Sequence, residues 1–227
     1  MSAKRVTLTF DNGPTEGVTG QVLDILRAQE LRATFFVCGK QLLTPAAREL
    51  ARRAVDEGHW VGNHTMTHDL PLGVDSSPGT LRREIGATQE MLAWNDGQER
   101  LFRPAGSGGA LDRRLFSPPA VDYLTEHGYS VVLWNSVPRD WEAPDTWVEA
   151  ALADVARQDW TVMVLHDLPT GAMDHLPAAI DAIREGGAQF EQSFPESCVP
   201  IVRGRLRAPV DHLMPDHLMP GSQATGG

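Results

Sequence analysis

Short apolar strands alternate with amphipathic helices along most of this chain, and few folds can absorb that alternation. Val6–Phe10 is β-rich and stops at Asp11-Asn12-Gly13-Pro14, a dense turn signal. In Thr19–Gln29 the apolar Val22, Ile25 and Leu26 recur at helical spacing, with Thr19 placed to cap the start. The pattern returns as the strand Thr34–Val37 and the helix Pro45–Glu57, stopped by Gly58. Trp60–Gly62 is a short strand running into His64, and a helix from about Pro78 to Trp94 follows. Leu101–Arg103, Tyr129–Trp134 and Thr161–Leu165 read as further strands, with helices over Pro118–Glu126, Pro144–Ala156 and His175–Arg184. Ala188–Phe190 is a weak last strand.

Strand-then-helix repeated about seven times predicts a parallel sheet with crossover helices. The sheet is either open and doubly wound or closed into a barrel. Asp11, His64, Arg103, Asp140 and His166 all fall at or just after the C-terminal ends of predicted strands. A barrel gathers those ends at one face, whereas an open sheet spreads most of them out. The expected fold is therefore α/β, a barrel of about seven parallel strands over residues 1–204. From Arg205 onward the pattern changes: Asp211-His-Leu-Met-Pro215 repeats at once as Asp216-His-Leu-Met-Pro220, followed by small polar residues. Residues 205–227 are expected to be a flexible tail.

Composition excludes several functions. With a formal net charge of -10, the chain is a poor candidate for nucleic acid or an anionic membrane, which need a surplus of Lys and Arg. Its two cysteines, Cys38 and Cys198, make no disulfide framework and no metal-binding pair, and Cys38 sits in an apolar run that suits a buried inert thiol. No signal peptide or long apolar span is evident, so a cytoplasmic protein is the expectation. Oligomeric state is not legible.

The chemistry concentrates in a few residues. His64 and His68, four apart, can point at one ion as neutral imidazoles, each fixed through its other nitrogen. Two histidines leave a cation short of a third ligand, which Asp11 or Asn12 can supply while the other stays free. Asp-Asn-Gly-Pro is also plain turn chemistry; the company of the histidines favours the chemical reading. His166 ends an apolar strand, and opposite a metal site it becomes a candidate general acid. The Gly-rich run Gly106–Gly109 fits no phosphate loop, and Ser107 sits on no nucleophile elbow. Trp147 and Trp160 read as core residues.

Taken together, Thr9-Phe10-Asp11-Asn12-Gly13-Pro14, His64-x-x-x-His68, Phe102-Arg103-Pro104, Asp140-Trp141 and Leu165-His166 resemble, in order and spacing, the polysaccharide deacetylases of carbohydrate esterase family 4, with a NodB homology domain. The resemblance covers residues 5 to about 190. It implies a distorted (β/α) barrel with a divalent metal at its C-terminal face, Zn2+ or else Co2+, Ni2+ or Mn2+. It implies Asp11 as general base, Asn12, His64 and His68 as metal ligands, and Arg103 as the partner of the base. Asp140 would orient the general acid His166, and Trp141 and Leu165 would wall in the acyl methyl. Backbone N–H groups around Ala105, Gly106 and Ser107 would hold the oxyanion.

Three departures from that pattern matter. Asn12 stands where the family usually has an aspartate ligand, which predicts weaker metal binding. Gly106 stands where an aromatic residue usually follows the arginine, and Val137 where a second aspartate is common. With two Tyr and six Trp, few aromatic rings are free to stack on sugars. Three functions remain open at this point. The first is an N-deacetylase acting on a small-molecule or carbohydrate substrate. The second is an amidohydrolase opening a cyclic imide or ureide. The third is a non-catalytic saccharide-binding barrel, supported by Asn12.

Overall fold

The computed structural model describes residues 3–218. Seven strands run parallel: β1 (Arg5–Asp11), β2 (Thr34–Val37), β3 (Trp60–Asn63), β4 (Leu101–Phe102), β5 (Ser130–Val131), β6 (Trp160–His166) and β7 (Gln189–Phe190). Six of them follow the order β6-β1-β2-β3-β4-β5, and β7 adds to β1 at Arg5 and Val6. The ring then closes. Ser136 pairs in parallel with Met163 of β6, the Ser136 N–H reaching Val162 O and the Val164 N–H reaching Ser136 O. This is the expected distorted (β/α) barrel.

The expected strand Tyr129–Trp134 is ladder-paired to β4 only at Ser130 and Val131. Its neighbour β4 ends at Phe102 because Arg103 is followed by Pro104, which has no N–H to extend the ladder. The chain past Val131 therefore crosses to β6. Two antiparallel strands escape the sequence pattern: β8 (Ile201–Val202) pairs with β5, and β9 (Arg205–Leu206) with β8. Their turn, Arg203-Gly204, has positive φ at both residues (48° and 73°), the geometry of a tight hairpin.

Helices α1 (Thr19–Ala28), α2 (Pro45–Asp56), α6 (Trp147–Arg157) and α7 (Leu176–Glu185) pack on the outside of β1, β2 and β6. Between α2 and α6, a helical run passes from α3 (Pro78–Leu81) through π-helical Arg82–Gly86 into α4 (Ala87–Met91), and α5 (Pro118–Glu126) packs beside β5. The cap of α1 is Val18, not Thr19, whose hydroxyl is engaged elsewhere. Trp147 is core as expected, its Nε1–H donating to Ala172 O. Trp160 carries the Arg5 guanidinium over its ring.

The expectation of a flexible tail from Arg205 fails for its first part. After β9, Val210, Leu213 and Met214 are buried in one cluster with Leu72, Leu115 and Phe116, and Phe116 N–H donates to Leu213 O. The first pentapeptide copy thus fills an apolar gap under the loops. The last residues, 219–227, lie outside the described part. Among the described residues no helix is long and apolar enough to cross a membrane.

Candidate active site

Strand alternation decides what faces the barrel interior. On β1, Val6, Leu8 and Phe10 pack outward under the helices, so Thr9 and Asp11 point inward. Asp11 ends β1, His64 follows β3, Arg103 follows β4, and His166 ends β6. Asp140 comes from the loop after the β5 extension. All five meet at the C-terminal face.

Arg103 is fully buried, and each of its three guanidinium nitrogens donates a hydrogen bond. Nη1 donates to Asp11 Oδ1 at 2.8 Å and to Thr9 Oγ1 at 2.6 Å. Nε and Nη2 donate to Val132 O and Leu133 O, and the guanidinium lies over the Phe36 ring. Burial alone would push the Asp11 carboxyl up; the adjacent Arg103 charge, helped by His64 and His166, instead holds it below the usual carboxylate range. Asp11 stays ionised in a dry place.

The histidine pair is tuned the other way. His64 Nδ1 lies 2.8 Å from Arg103 O, which can only accept, so Nδ1 carries the proton and Nε2 is bare. That Nε2 lies 3.5 Å from Asp11 Oδ2. Burial lowers the His64 pKa to about 3 and also lowers that of His68, so both rings are neutral near pH 7. The two rings sit 4.7 Å apart. Asn12, in a left-handed conformation with φ 75°, lines the same cavity as the pair, and its Oδ1 lies 3.8 Å from Cys38 Sγ. Cys38 is buried as expected, and burial pushes its thiol pKa up. Among the described residues no three His, Cys, Asp or Glu side chains form a ready cage. Two neutral imidazoles with an amide oxygen nevertheless suit a borderline-soft divalent ion.

Beside Asp11, in register on the neighbouring strand β6, His166 is held twice by Asp140: its backbone N–H donates to Oδ2 at 2.8 Å and its Nδ1–H to Oδ1 at 2.9 Å. Burial would lower its pKa, but the Asp140 hydrogen bond and charge prevail and raise it. Trp141 meets the His166 ring edge-on at 4.6 Å.

Asp11, Asn12, His64, His68 and His166 line a cavity of about 210 Å³. Its other walls are Gly106, Gly108, Gly109, Trp134, Val137, Trp141, Val164 and Leu168. Two expectations need correction. Leu165 does not wall the cavity: since His166 faces in, Leu165 faces out and packs with Leu8 and Phe10, and Val164 takes the inner position. Ala105 is buried behind the cavity, and Gly106 alone of that pair lines it. The glycine at 106 has a reason, because a Cβ there would lie 2.9 Å from the Trp134 ring. Trp134 also donates Nε1–H to Gly109 O at 2.8 Å, so the Gly-rich loop is pinned rather than loose.

Sequence reasoning missed Val164 and Trp134, although counting back two residues from His166 finds the first. It also missed Asp167, a buried carboxylate that accepts the Thr19 hydroxyl and presses against Gly13, where any side chain would collide with it. Its Oδ1 has no hydrogen-bond partner among the described residues, and burial raises its pKa to about 6. A larger cavity of about 1060 Å³ lies at the N-terminal ends of β3, β4 and β5, lined by Trp60, Leu101, Ser130 and Phe194. Of its two lining carboxylates, Glu99 and Glu196, the first is already paired with Ser130 and Arg203, and no histidine among the described residues lines the cavity, so the chemistry belongs to the smaller one.

A barrel carrying an arginine-locked carboxylate, a neutral histidine pair and a carboxylate-held histidine at one face has the parts of a hydrolase. The polysaccharide deacetylase family matches residues 1–133, and the chain belongs to it. It is 34% identical over 166 residues to a chitooligosaccharide deacetylase of Rhizobium leguminosarum bv. trifolii, covering 72% of each chain. A family 4 carbohydrate esterase from Streptomyces lividans, solved with acetate, superposes with a TM-score of 0.70 at 27% identity, over 92% of this chain and 100% of that one. A family 4 acetyl xylan esterase from Clostridium thermocellum, solved with a cobalt ion, gives 0.66 at 28% identity, over 83% and 88%.

Proposed function

We propose that the chain is a metal-dependent hydrolase of a non-peptide carbon–nitrogen bond that removes the acetyl group from an N-acetylated sugar. The observation that carries this reading is the meeting, side by side in one small cavity, of a carboxylate held ionised by Arg103 and a histidine whose pKa Asp140 raises. Base and acid are tuned apart by their surroundings, as amide hydrolysis requires.

Asn12 through Oδ1, His64 through Nε2 and His68 would hold a divalent ion, zinc or a cobalt-like substitute. When bound, it supplies Lewis-acid polarisation of the acyl carbonyl. Asp11 accepts a proton from the attacking water, and Arg103 keeps it ionised to do so. His166, with Nδ1 tied to Asp140, presents Nε2 to the leaving nitrogen and gives it the proton it needs to depart as an amine. Trp141, Val164 and Trp134 line the cavity as an apolar niche for the acyl methyl, and N–H groups near Gly106, which also lines it, would donate to the oxyanion. Water adds across the amide bond to give one carboxylic acid and one amine, and the proton Asp11 takes from the water offsets the one His166 gives to nitrogen.

The test is metal content of the purified protein together with acetate release from N-acetylglucosamine oligomers, with and without added zinc. About one ion per chain and zinc-dependent acetate release are expected. Bound metal without acetate release from any N-acetyl sugar would transfer the reading to cyclic imides. Absence of metal under zinc loading would overturn the catalytic reading and leave a saccharide-binding barrel.

A further inference from the structure

The His64–His68 loop is bent in a way its residues resist. Thr65 and His68 both have positive φ, 65° and 59°, and for a β-branched threonine that is an outlier. Such a loop keeps its shape only when neighbours over-determine it. Main-chain bonds from the β2 side grip it: Gly39 N–H donates to Thr65 O, and Lys40 N–H to Met66 O. The other grip comes from the π-helical turn Arg82–Gly86, a rare form of helix that is frequent at functional sites.

Glu84, a buried carboxylate on that turn, accepts both the Thr67 N–H at 3.0 Å and the Thr67 hydroxyl at 3.1 Å on its Oε2. Its Oε1 accepts from Arg83 Nε. Thr67 directly precedes His68. The next residue of the turn, Ile85, offers its carbonyl to Asn63 Nδ2 at 2.9 Å, and Asn63 directly precedes His64. Asn63 Oδ1 then takes the Thr65 N–H, and Thr65 Oγ1 takes the His68 N–H. One helical turn therefore fastens both ends of the segment that presents the two imidazoles.

We infer that Glu84 is a positioning residue for the histidine pair: its carboxylate, mounted on the π turn, sets where His68 sits relative to His64 and so how tightly the pair holds a divalent ion. This rests on the reading of His64 and His68 as ligands. Outer hydrogen-bond partners of ligand loops typically govern metal affinity by about 10- to 100-fold.

The test uses the full chain as wild type, Glu84→Gln, Glu84→Ala and Thr67→Ala. Zinc affinity is measured by chelator competition, amide hydrogen exchange at Thr67 and His68 by mass spectrometry, and folding by thermal melting. Glu84→Ala is expected to weaken zinc by at least about 10-fold and to speed exchange at Thr67 and His68. Glu84→Gln keeps an acceptor oxygen and should stay within about 3-fold of wild type. Thr67→Ala loses only the hydroxyl bond and should fall between them, which keeps the inference testable should Glu84→Ala not fold. A folded Glu84→Ala, or Thr67→Ala, that binds zinc as wild type does overturns the inference and leaves the ligand reading intact. Failure of the wild type itself to bind zinc overturns the ligand reading, and the inference with it.

Discussion

Replacing Arg103 by methionine strips Asp11 of its counter-charge while keeping most of the volume. At an effective dielectric of about 20, unit charges 2.8 Å apart attract by roughly 6 kcal/mol, and much of that offsets the dehydration of both groups. Breaking one side of such a pair leaves a buried uncompensated charge, with an expected loss of about 3–5 kcal/mol. For a chain this long, about 2 °C per kcal/mol puts the fall in melting midpoint near 6–10 °C at neutral pH. The pH dependence gives the sharper test. In the wild type Asp11 has a depressed folded pKa, so its stabilisation is present above the ordinary carboxylate pKa and lost as pH falls through the depressed one. Without Arg103 burial dominates, the folded pKa rises above the ordinary value, and the ionised form is penalised. The deficit between variant and wild type must therefore be largest near neutrality and shrink on acidification, as Asp11 takes up a proton. The acid limb of kcat/KM must shift to higher pH for the same reason. Thermal melts from pH 4 to 8, with kcat/KM over the same range, measure both. A deficit under about 1 kcal/mol, or one that does not narrow at low pH, would refute the claim that Arg103 exists to keep Asp11 charged.

Asp140→Asn should leave the His166 ring in place but remove the charge that raises its pKa. The protonated acid, present below that pKa, is then lost at lower pH, so the alkaline limb of kcat/KM should move down and activity at pH 8 should fall on the order of 10²-fold. Asn12→Asp adds a charged oxygen beside His64 and His68 and should tighten zinc by roughly 10-fold, about 1.4 kcal/mol by competition titration; unchanged affinity would remove Asn12 from the ligand set. Asp167 has its folded pKa raised from 3.8 to about 6, so its ionisation destabilises the fold above pH 6 and costs nothing below pH 4. Two pKa units are worth roughly 3 kcal/mol, and Asp167→Asn should raise the melting midpoint at pH 8 but not at pH 4.

Much of the barrel was legible because hydrophobic period and strand-end polarity are local signals. The strand Thr34–Val37 and the helix Pro118–Glu126 lie where the pattern put them. The hairpin of β8 and β9 was not legible: each strand is two residues long, too short for a period to register, and the pairing that defines it is with β5, about seventy residues earlier. The tail misled for a related reason. A tandem repeat with Pro and Asp reads as unstructured, yet Leu213 and Met214 of the first copy suffice to dock in the cluster with Phe116 where the loops leave a gap. The π turn was invisible as well, since a single-residue widening of a helix leaves no mark on a sequence of ordinary helix formers.

At the site, convergence of side chains was legible and their orientation was not. Asp11, His64, Arg103, Asp140 and His166 converge as strand-end placement predicts, but Leu165 was carried over on adjacency, and one step along a strand turns a side chain to the other face. Asn12 shows what geometry adds to such a reading. As a sequence change it only subtracts a ligand charge. In the fold, Asp11 lies 3.5 Å from the bare nitrogen of His64 and shares its cavity wall with Asn12, so a carboxylate at position 12 would set two anions side by side over a single arginine already bonded to the first. A neutral amide loosens the hold on a cation but spares Asp11 that repulsion, which would raise its pKa and weaken it as a base held ionised. Asn12→Asp should therefore do two opposed things, tightening zinc while raising the pKa of Asp11 in the metal-free protein, and observing both together would distinguish a retuned active site from a decayed one.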